Sequence, residues 1–326
     1  MIIIRSAALA ALACITALAP LASHSQDYPN KPIKFVVGYA AGGPTDVIGR
    51  ILGVEMGSFL GQPVVVENRP GANGNIATEG VARSPADGYT LIVNTLSHNV
   101  NPLLNSAVAK YDPVKDFTPV GLAVILPQLL VVAYDSPYQT LDDLVKAAKT
   151  GPGKVSYGSA GGGGSAHLAA ELLALKSNTK MTHIPFKGNA PAMTEVMAGR
   201  VSFMYYPMIG VTNFVTEKKL RILGVTTAAR HPDYPSVPTM VEAGYKGFEA
   251  YVGPVGFLAP AGTPTPVIQK LSIAMRAALA KPDLREKLRV LGAVVVGTSP
   301  DEYRDWLKGD AKRWGELIKT AQIKAE

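Results

Sequence analysis

The chain has 326 residues, 47% of them hydrophobic, with 32 Lys and Arg against 25 Asp and Glu, a formal charge of +7. That length carries two modest lobes or one large globular domain. The excess charge is thinly spread, with no basic block and no aromatic-interleaved basic stripe, which argues against a nucleic-acid partner.

Residues 1–25 read as an export signal. Arg5 supplies the charged region, Ala7 to Leu18 the apolar region, and Ser23-His24-Ser25 a small-x-small cleavage site. The apolar run is too short for a membrane span. Cys14, the single cysteine of the sequence, lies inside it. Cleavage near Ser25 leaves a mature chain without disulfides, thiol chemistry or cysteine-held metal, in the periplasm or outside the cell. The alternative is a lipid attached at Cys14, against which stands Ala11 where leucine is usual.

Lys31 to Val37 is predicted as the opening strand, followed by the glycine-rich loop Gly38-Tyr39-Ala40-Ala41-Gly42-Gly43-Pro44-Thr45. The next helix sets Val47, Ile48, Ile51, Leu52, Met56, Phe59 and Leu60 on one side and stops at Gly61. Pro63 to Glu67 reads as a buried strand, residues 68–75 as a turn-rich loop, then a short helix to Val81 and a strand from Tyr89 to Val93 after the Asp87-Gly88 turn. This order implies right-handed parallel βαβ units. The plan then repeats. A strand at Val155-Ser156-Tyr157 leads into Gly158-Ser159-Ala160-Gly161-Gly162-Gly163-Gly164-Ser165, a helix with Leu168, Leu172, Leu173 and Leu175, a strand Met181 to Pro185, a loop from Lys187 to Pro191, a helix to Gly199, and a strand Val201 to Tyr205.

Two β-rich stretches, Val120 to Ile125 and Gln128 to Ala133, and a later apolar segment, Tyr251 to Leu258, are expected to carry the chain between lobes and back. A helix starts at Thr265-Pro266, and Ser299-Pro300-Asp301-Glu302 forms a capping box. The last helix aligns Tyr303, Trp306, Leu307, Trp314, Leu317 and Ile318 as a core face, expected to pack on the first lobe. The expected lobe limits are 26–125 and 251–326 for the first lobe and 126–250 for the second.

Thr45 and Ser165 are preferred N-cap types, so each glycine loop is expected to bare backbone N–H groups at the positive end of a helix. Two such ends suit an anion. A P-loop is excluded because Gly164-Ser165-Ala166 lacks its lysine. A dinucleotide fingerprint fails on the spacing of Tyr39 to Pro44 and on Pro185 at the next strand's end. A nucleophile elbow at Ser159 fails because Tyr157 stands where glycine is needed, and His183 and His231 show no acidic partner. His98, His167, His183 and His231 lack ligand spacing, so no metal or cofactor is expected. Thr95 and His98, after a strand's C-terminal end, are candidate cleft groups with Ser97 and Asn99 behind them. His167, in the first turn after Ser165, suits either a ligand or local packing. Asp46 reads as a first-turn acid favoured by the helix dipole, and Arg69 as an ion-pair former.

Tyr28-Pro29-Asn30-Lys31-Pro32-Ile33, Ala41-Gly42-Gly43-Pro44-Thr45-Asp46, Leu60 to Ala72 and Ala86-Asp87-Gly88-Tyr89-Thr90-Leu91 resemble the Bug family, the solute-binding proteins of tripartite tricarboxylate transporters. Tyr111-Asp112-Pro113, Pro185-Phe186-Lys187-Gly188 and Ala259-Pro260-Ala261-Gly262-Thr263-Pro264 extend the likeness over essentially the whole mature chain. The resemblance implies an α/β fold of type II, Venus-flytrap form, each lobe a βαβ sheet flanked by helices. It implies a monomer that closes on a carboxylate and presents it to a membrane permease, with no catalytic role. Carried onto this sequence, the ligand grips are Tyr39, Ala41, Gly42, Gly43 and Thr45 in one lobe and Ser159, Gly163 and Ser165 in the other. Thr95, His98, His167 and the segment Lys187, Gly188 and Asn189 complete the expected pocket. Amino-acid-binding members resemble one another in an Asp after the strand that here ends Met204-Tyr205-Tyr206, and Tyr205 cannot act as an anionic partner for an ammonium, which speaks against an amino-acid ligand. Tyr39 and Tyr205 are expected to sandwich a flat or apolar body, so the expected ligand is a di- or aromatic carboxylate. An extracytoplasmic sensor feeding a signalling receptor, and more remotely a secreted esterase, are the alternatives.

Overall fold

The computed structural model describes residues 28–104, 109–248 and 253–323. The export signal, Cys14 and Tyr251 lie outside the described residues.

In chain order the first part runs β1 (Ile33–Val37), α1 (Pro44–Leu60), β2 (Val64–Asn68), α2 (Asn75–Ala82), β3 (Thr90–Asn94), α3 (Ser97–Leu104) and β4 (Phe117–Leu126). The middle part runs β5 (Gln128–Ala133), α4 (Leu141–Thr150), β6 (Ser156–Ser159), α5 (Ser165–Ser177), β7 (Thr182–Pro185), α6 (Asn189–Met197), β8 (Phe203–Pro207), α7 (Thr212–Thr216) and β9 (Leu220–Val225). The return is β10 (Gly253–Pro260), α8 (Thr265–Ala280), α9 (Pro282–Val290), β11 (Val294–Val295) and α10 (Pro300–Ala321).

These strands form two sheets, ordered β11-β4-β10-β3-β1-β2 and β7-β6-β8-β5-β9. The repetition read in the sequence is real at the level of topology. In each sheet a strand ending in a glycine loop (β1 or β6) lies between the two strands that follow it, all parallel. In each, an antiparallel crossing strand closes the unit, β10 beside β3 and β5 beside β8. Only Pro127 separates β4 in one sheet from β5 in the other, and its carbonyl accepts a 2.9 Å hydrogen bond from the Met208 amide.

Both faces of both sheets are covered, so buried strands such as Phe203–Pro207 are apolar throughout rather than alternating. Phe35 and Phe257 meet at 4.7 Å between centroids in the main core of the first lobe, against Leu52, Met56, Leu271 and Met275 of α1 and α8. In the second lobe Phe203 and Tyr205 join the α4–α5 core while Met204 and Tyr206 join the opposite one. Phe59 and Leu175, expected on buried helix faces, are instead 51% and 46% exposed. The segment Thr95–Asn99, read as a loop, is helical from Ser97 despite Pro102, because side-chain bonds hold it. Asn101 donates to Asn75 and to the Asn73 carbonyl, and Asn99 donates to Asp310.

The terminal helix α10 departs from the expectation that it packs on the first lobe alone. Tyr303 and Leu307 enter that lobe's core, but Trp314 packs in one cluster with Leu96 and Val100 of the first lobe and Leu168 of the second. It therefore spans the two.

Candidate functional site

The cleft between the sheets holds a cavity at the point where the two glycine loops meet. Its walls come from both lobes: Gly43, Pro44 and Thr45 at the start of α1, and Gly164, Ser165 and Ala166 at the start of α5. Thr95, Leu96 and Ser97 precede or begin α3, and Asn189 begins α6. Leu126, Pro207, Gly253, Pro254 and Val255, where strands end or begin at the crossing, supply an apolar floor.

The helix starts explain how an uncharged wall can attract an anion. The residue capping α1 is Gly43, and that capping α5 is Gly164; neither helix has a side-chain cap. Gly188 caps α6 in the same bare fashion. This corrects the expectation that Thr45 and Ser165 are the caps. They lie within the first turn and line the cavity, while the glycine caps leave first-turn N–H groups without a side-chain partner. Unsatisfied N–H groups and the helix dipole together suit a carboxylate. No Asp, Glu, Lys, Arg or His is among the described residues that line this cavity. Asn189 Oδ1, buried with no partner among the described residues, offers the cavity an acceptor.

Tyr39 is the wall with the most bonds. Its hydroxyl meets Ser97 Oγ, Thr95 Oγ1 at 3.1 Å and Asn73 Oδ1 at 3.3 Å. Burial raises its pKa, against the pull of the Ser97 and Thr95 hydroxyls, so it remains a neutral phenol. Tyr39 and Ala160 also line a second, larger space that contains Asn73, Asn101, Phe186 and Lys187.

Several expected ligand groups serve other purposes. Gly42 donates its N–H to Asp46 Oδ2 at 2.9 Å, and neither it nor Ala41 lines the cavity. Asp46 also bonds Asn68 and Arg50. Burial pushes its carboxyl up, but Arg50, the Gly42 amide and Asn68 outweigh that and hold it below the usual range. Asp46 is thus the clamp of the first glycine loop, more than a dipole partner. Arg69 pairs with Glu67, as expected.

Ser159 is fully buried, and its Oγ sits 3.0 Å from both the amide and the carbonyl of Gly161 and 2.6 Å from His183 Nε2. Sequence reasoning missed this serine–histidine contact, since 24 residues separate the two. Burial pulls the His183 pKa down to about 4, so the ring is a neutral hydrogen-bonding group beside a fully buried hydroxyl. His167 Nδ1 accepts the Gly163 N–H at 2.8 Å, and its ring stacks on His183 at 4.2 Å. Of the two readings open for His167, local packing is the one the structure shows, and Gly163 faces Leu104 and Val100 of the other lobe.

His98 and Tyr205 require correction. His98 is 2% exposed, packs on Tyr111 and Phe117, and places Nε2 2.8 Å from the Pro113 carbonyl, away from the cavity lining. Tyr205 is fully buried beside Phe248, with its hydroxyl toward Met240 Sδ. Strand alternation sends Tyr205 into the core, and only Pro207 at the strand's end reaches the cavity. Tyr205 therefore cannot sandwich a ligand with Tyr39. Lys187 lines the second space, and Gly188 abuts Ala40 of the first lobe.

Residues 48–323 match the family model described as tripartite tricarboxylate transporter family receptor. The chain is 33% identical over 298 residues to the protein BugT of Bordetella pertussis, covering 91% of each. Among solved structures it is similar to an R. palustris protein with adipate (33% identity, TM-score 0.88, covering 92% of this chain and 100% of that one). It is also similar to MatC from Rhodopseudomonas palustris with bound malate (32% identity, TM-score 0.85, covering 89% and 100%). With bare helix starts from two lobes meeting on one cavity, and this match along most of its length, the chain belongs to the tripartite tricarboxylate transporter receptor family, the Bug-type solute-binding proteins.

Proposed function

We propose that this protein captures a small carboxylate between its lobes in the periplasm and delivers it to the membrane permease of a tripartite tricarboxylate transporter. The observation that carries the reading is the convergence of the uncapped starts of α1 and α5, one from each lobe, on a cavity with no charged side chain among its described lining. Hydrogen bonds to a charged group contribute about 1.5–3 kcal/mol each. About six such bonds to N–H and hydroxyl groups, less ordering and closure costs, sustain micromolar or tighter binding. The adipate and malate held by structural neighbours support a carboxylate ligand. The ligand set is Tyr39, Gly43, Thr45, Thr95, Ser165 and Asn189, with Ser97 and Ala166 added, while Lys187 borders the outer space and not this cavity.

The apolar floor of Leu126, Pro207, Pro254 and Val255 favours an aliphatic or aromatic body between the polar ends. An ammonium finds no anionic partner on this wall, so the argument against an amino-acid ligand passes from Tyr205 to the cavity as a whole. The lobe limits 26–125, 126–250 and 251–326 remain part of this proposal. Calorimetric titration with aliphatic diacids, aromatic acids and amino acids tests the reading. Heats from one or more of the first two classes are expected; binding confined to amino acids, or to none of the three, would overturn it.

A further inference from the structure

Asn73 joins the two lobes directly. It sits between β2 and α2 of the first lobe in a left-handed conformation (φ 49°, ψ 41°), which asparagine tolerates better than most residues. That conformation projects its amide across the cleft. Nδ2 donates to the Gly162 carbonyl of the second lobe at 2.6 Å and to Asn101 Oδ1 at 2.9 Å, while Oδ1 accepts from the Tyr39 hydroxyl. The opposing loop is shaped to receive it. A Cβ on Gly161 would lie 3.1 Å from Asn73 Cβ, and one on Gly164 would lie 3.4 Å from its Oδ1. A second direct link runs from the Ala40 amide to the Lys187 carbonyl at 3.2 Å, but it uses backbone alone.

We infer that Asn73 is a clasp between the lobes, a residue outside the ligand cavity that sets how tightly and how long the protein holds its ligand. The side chain borders the outer space and is not among those lining the cavity at the helix starts, yet it shares a bond with Tyr39, which lines both. The ligand wall and the lobe contact are therefore one hydrogen-bonded unit, and seating Tyr39 seats the clasp. Because Asn73 faces the opposite loop rather than the ligand's body, it acts on affinity and release and leaves the preference between ligands alone. The inference rests on the two-lobed architecture and needs no particular ligand.

Two substitutions keep the left-handed backbone accessible. Asn73→Gly removes the side chain, and Asn73→Asp replaces the donor amide with a carboxylate facing the Gly162 carbonyl and Asn101 Oδ1. Hydrogen–deuterium exchange of segment 159–166 and small-angle scattering of the ligand-free protein are the first readouts. Losing the bond to the half-buried Gly162 carbonyl should speed exchange in that segment roughly tenfold. The radius of gyration should rise in both variants, with residues 300–310 of α10 unchanged. Titration and stopped-flow release with adipate and malate form the second readout. Affinity for each should fall about tenfold, through faster release, at a constant adipate-to-malate ratio. Unchanged exchange in either variant, an equal rise in α10, or a shifted ratio would overturn the clasp. If the unsubstituted protein bound neither acid nor any other carboxylate, the proposed function would fail while exchange and scattering still decided the clasp.

Discussion

The helices of this protein begin in two contrasting ways. On the outer surface, α4 and α10 start with complete capping boxes, Thr140 with Asp143 and Ser299 with Glu302, each partner bonding the other's backbone amide. At the cleft, α1, α5 and α6 start at Gly43, Gly164 and Gly188 with no side-chain cap. Every helix start has N–H groups that the helix itself cannot satisfy. α4 and α10 satisfy theirs from their own sequence; α1, α5 and α6 do not. What sets these three apart from α8 and α9, which also lack side-chain caps at Pro264 and Lys281, is that all three begin at the cavity. The proposed binding site omits, at its three helix starts, a routine stabilising element.

Installing a cap at the cleft should break the contrast most forcefully. Gly43 has extended backbone angles (φ −77°, ψ 167°), so Asp fits there without strain. Gly43→Asp places a carboxylate on the N–H groups proposed for the ligand. Carboxylate affinity by calorimetry should fall by at least about 100-fold, the loss of two charged hydrogen bonds, with thermal stability unchanged or slightly raised. Retained binding would show that the α1 start is not a grip.

A pH series separates the start of α3 from the grips. Burial lowers the His98 pKa to about 4, below the usual 6.5. The unfolded chain therefore takes up the proton first as pH falls, so this contribution is fully present above about pH 6.5 and is lost toward pH 4, about 3 kcal/mol in all. His98→Gln should flatten that part of the stability profile in denaturant titrations. Carboxylate affinity at neutral pH should be unmoved, as befits an interior residue rather than a ligand group.

The smallest effects belong to the outer caps. Thr140→Ala and Ser299→Ala should each cost about 1 kcal/mol in chemical unfolding and leave ligand titrations unaltered. A change in affinity would mean that the outer helices also couple to the cleft.

Much of the site was legible as loops and little of it as individual side chains. Gly43 and Gly164 of the two glycine segments, with Tyr39, Thr45, Thr95, Ser165 and Asn189, follow from strand ends and from family likeness, and all line the cavity. His98 is expected there because it follows a strand's C-terminal end and Tyr205 because of the family likeness at its strand, and neither signal tells which way a side chain faces. With both sheet faces buried, no polar alternation marked which way Tyr205 points. Asn73 was passed over as a turn residue because its partner Gly162 lies 89 positions away. Asp46 was recognised as a first-turn acid, while its grip on the Gly42 amide emerged only with the folded loop.

By itself, the sequence determined the order of the repeated strand–helix units, the two glycine loops and the absence of a nucleotide or nucleophile motif. These follow from local periodicity and backbone freedom, which act over a few residues. Tertiary structure decided which loop groups face the cleft, which are spent holding the loops in shape, and which residue fastens one lobe to the other. Those choices depend on partners 24 to 89 residues apart, Ser159 with His183 and Asn73 with Gly162, and on sheet faces that only packing distinguishes.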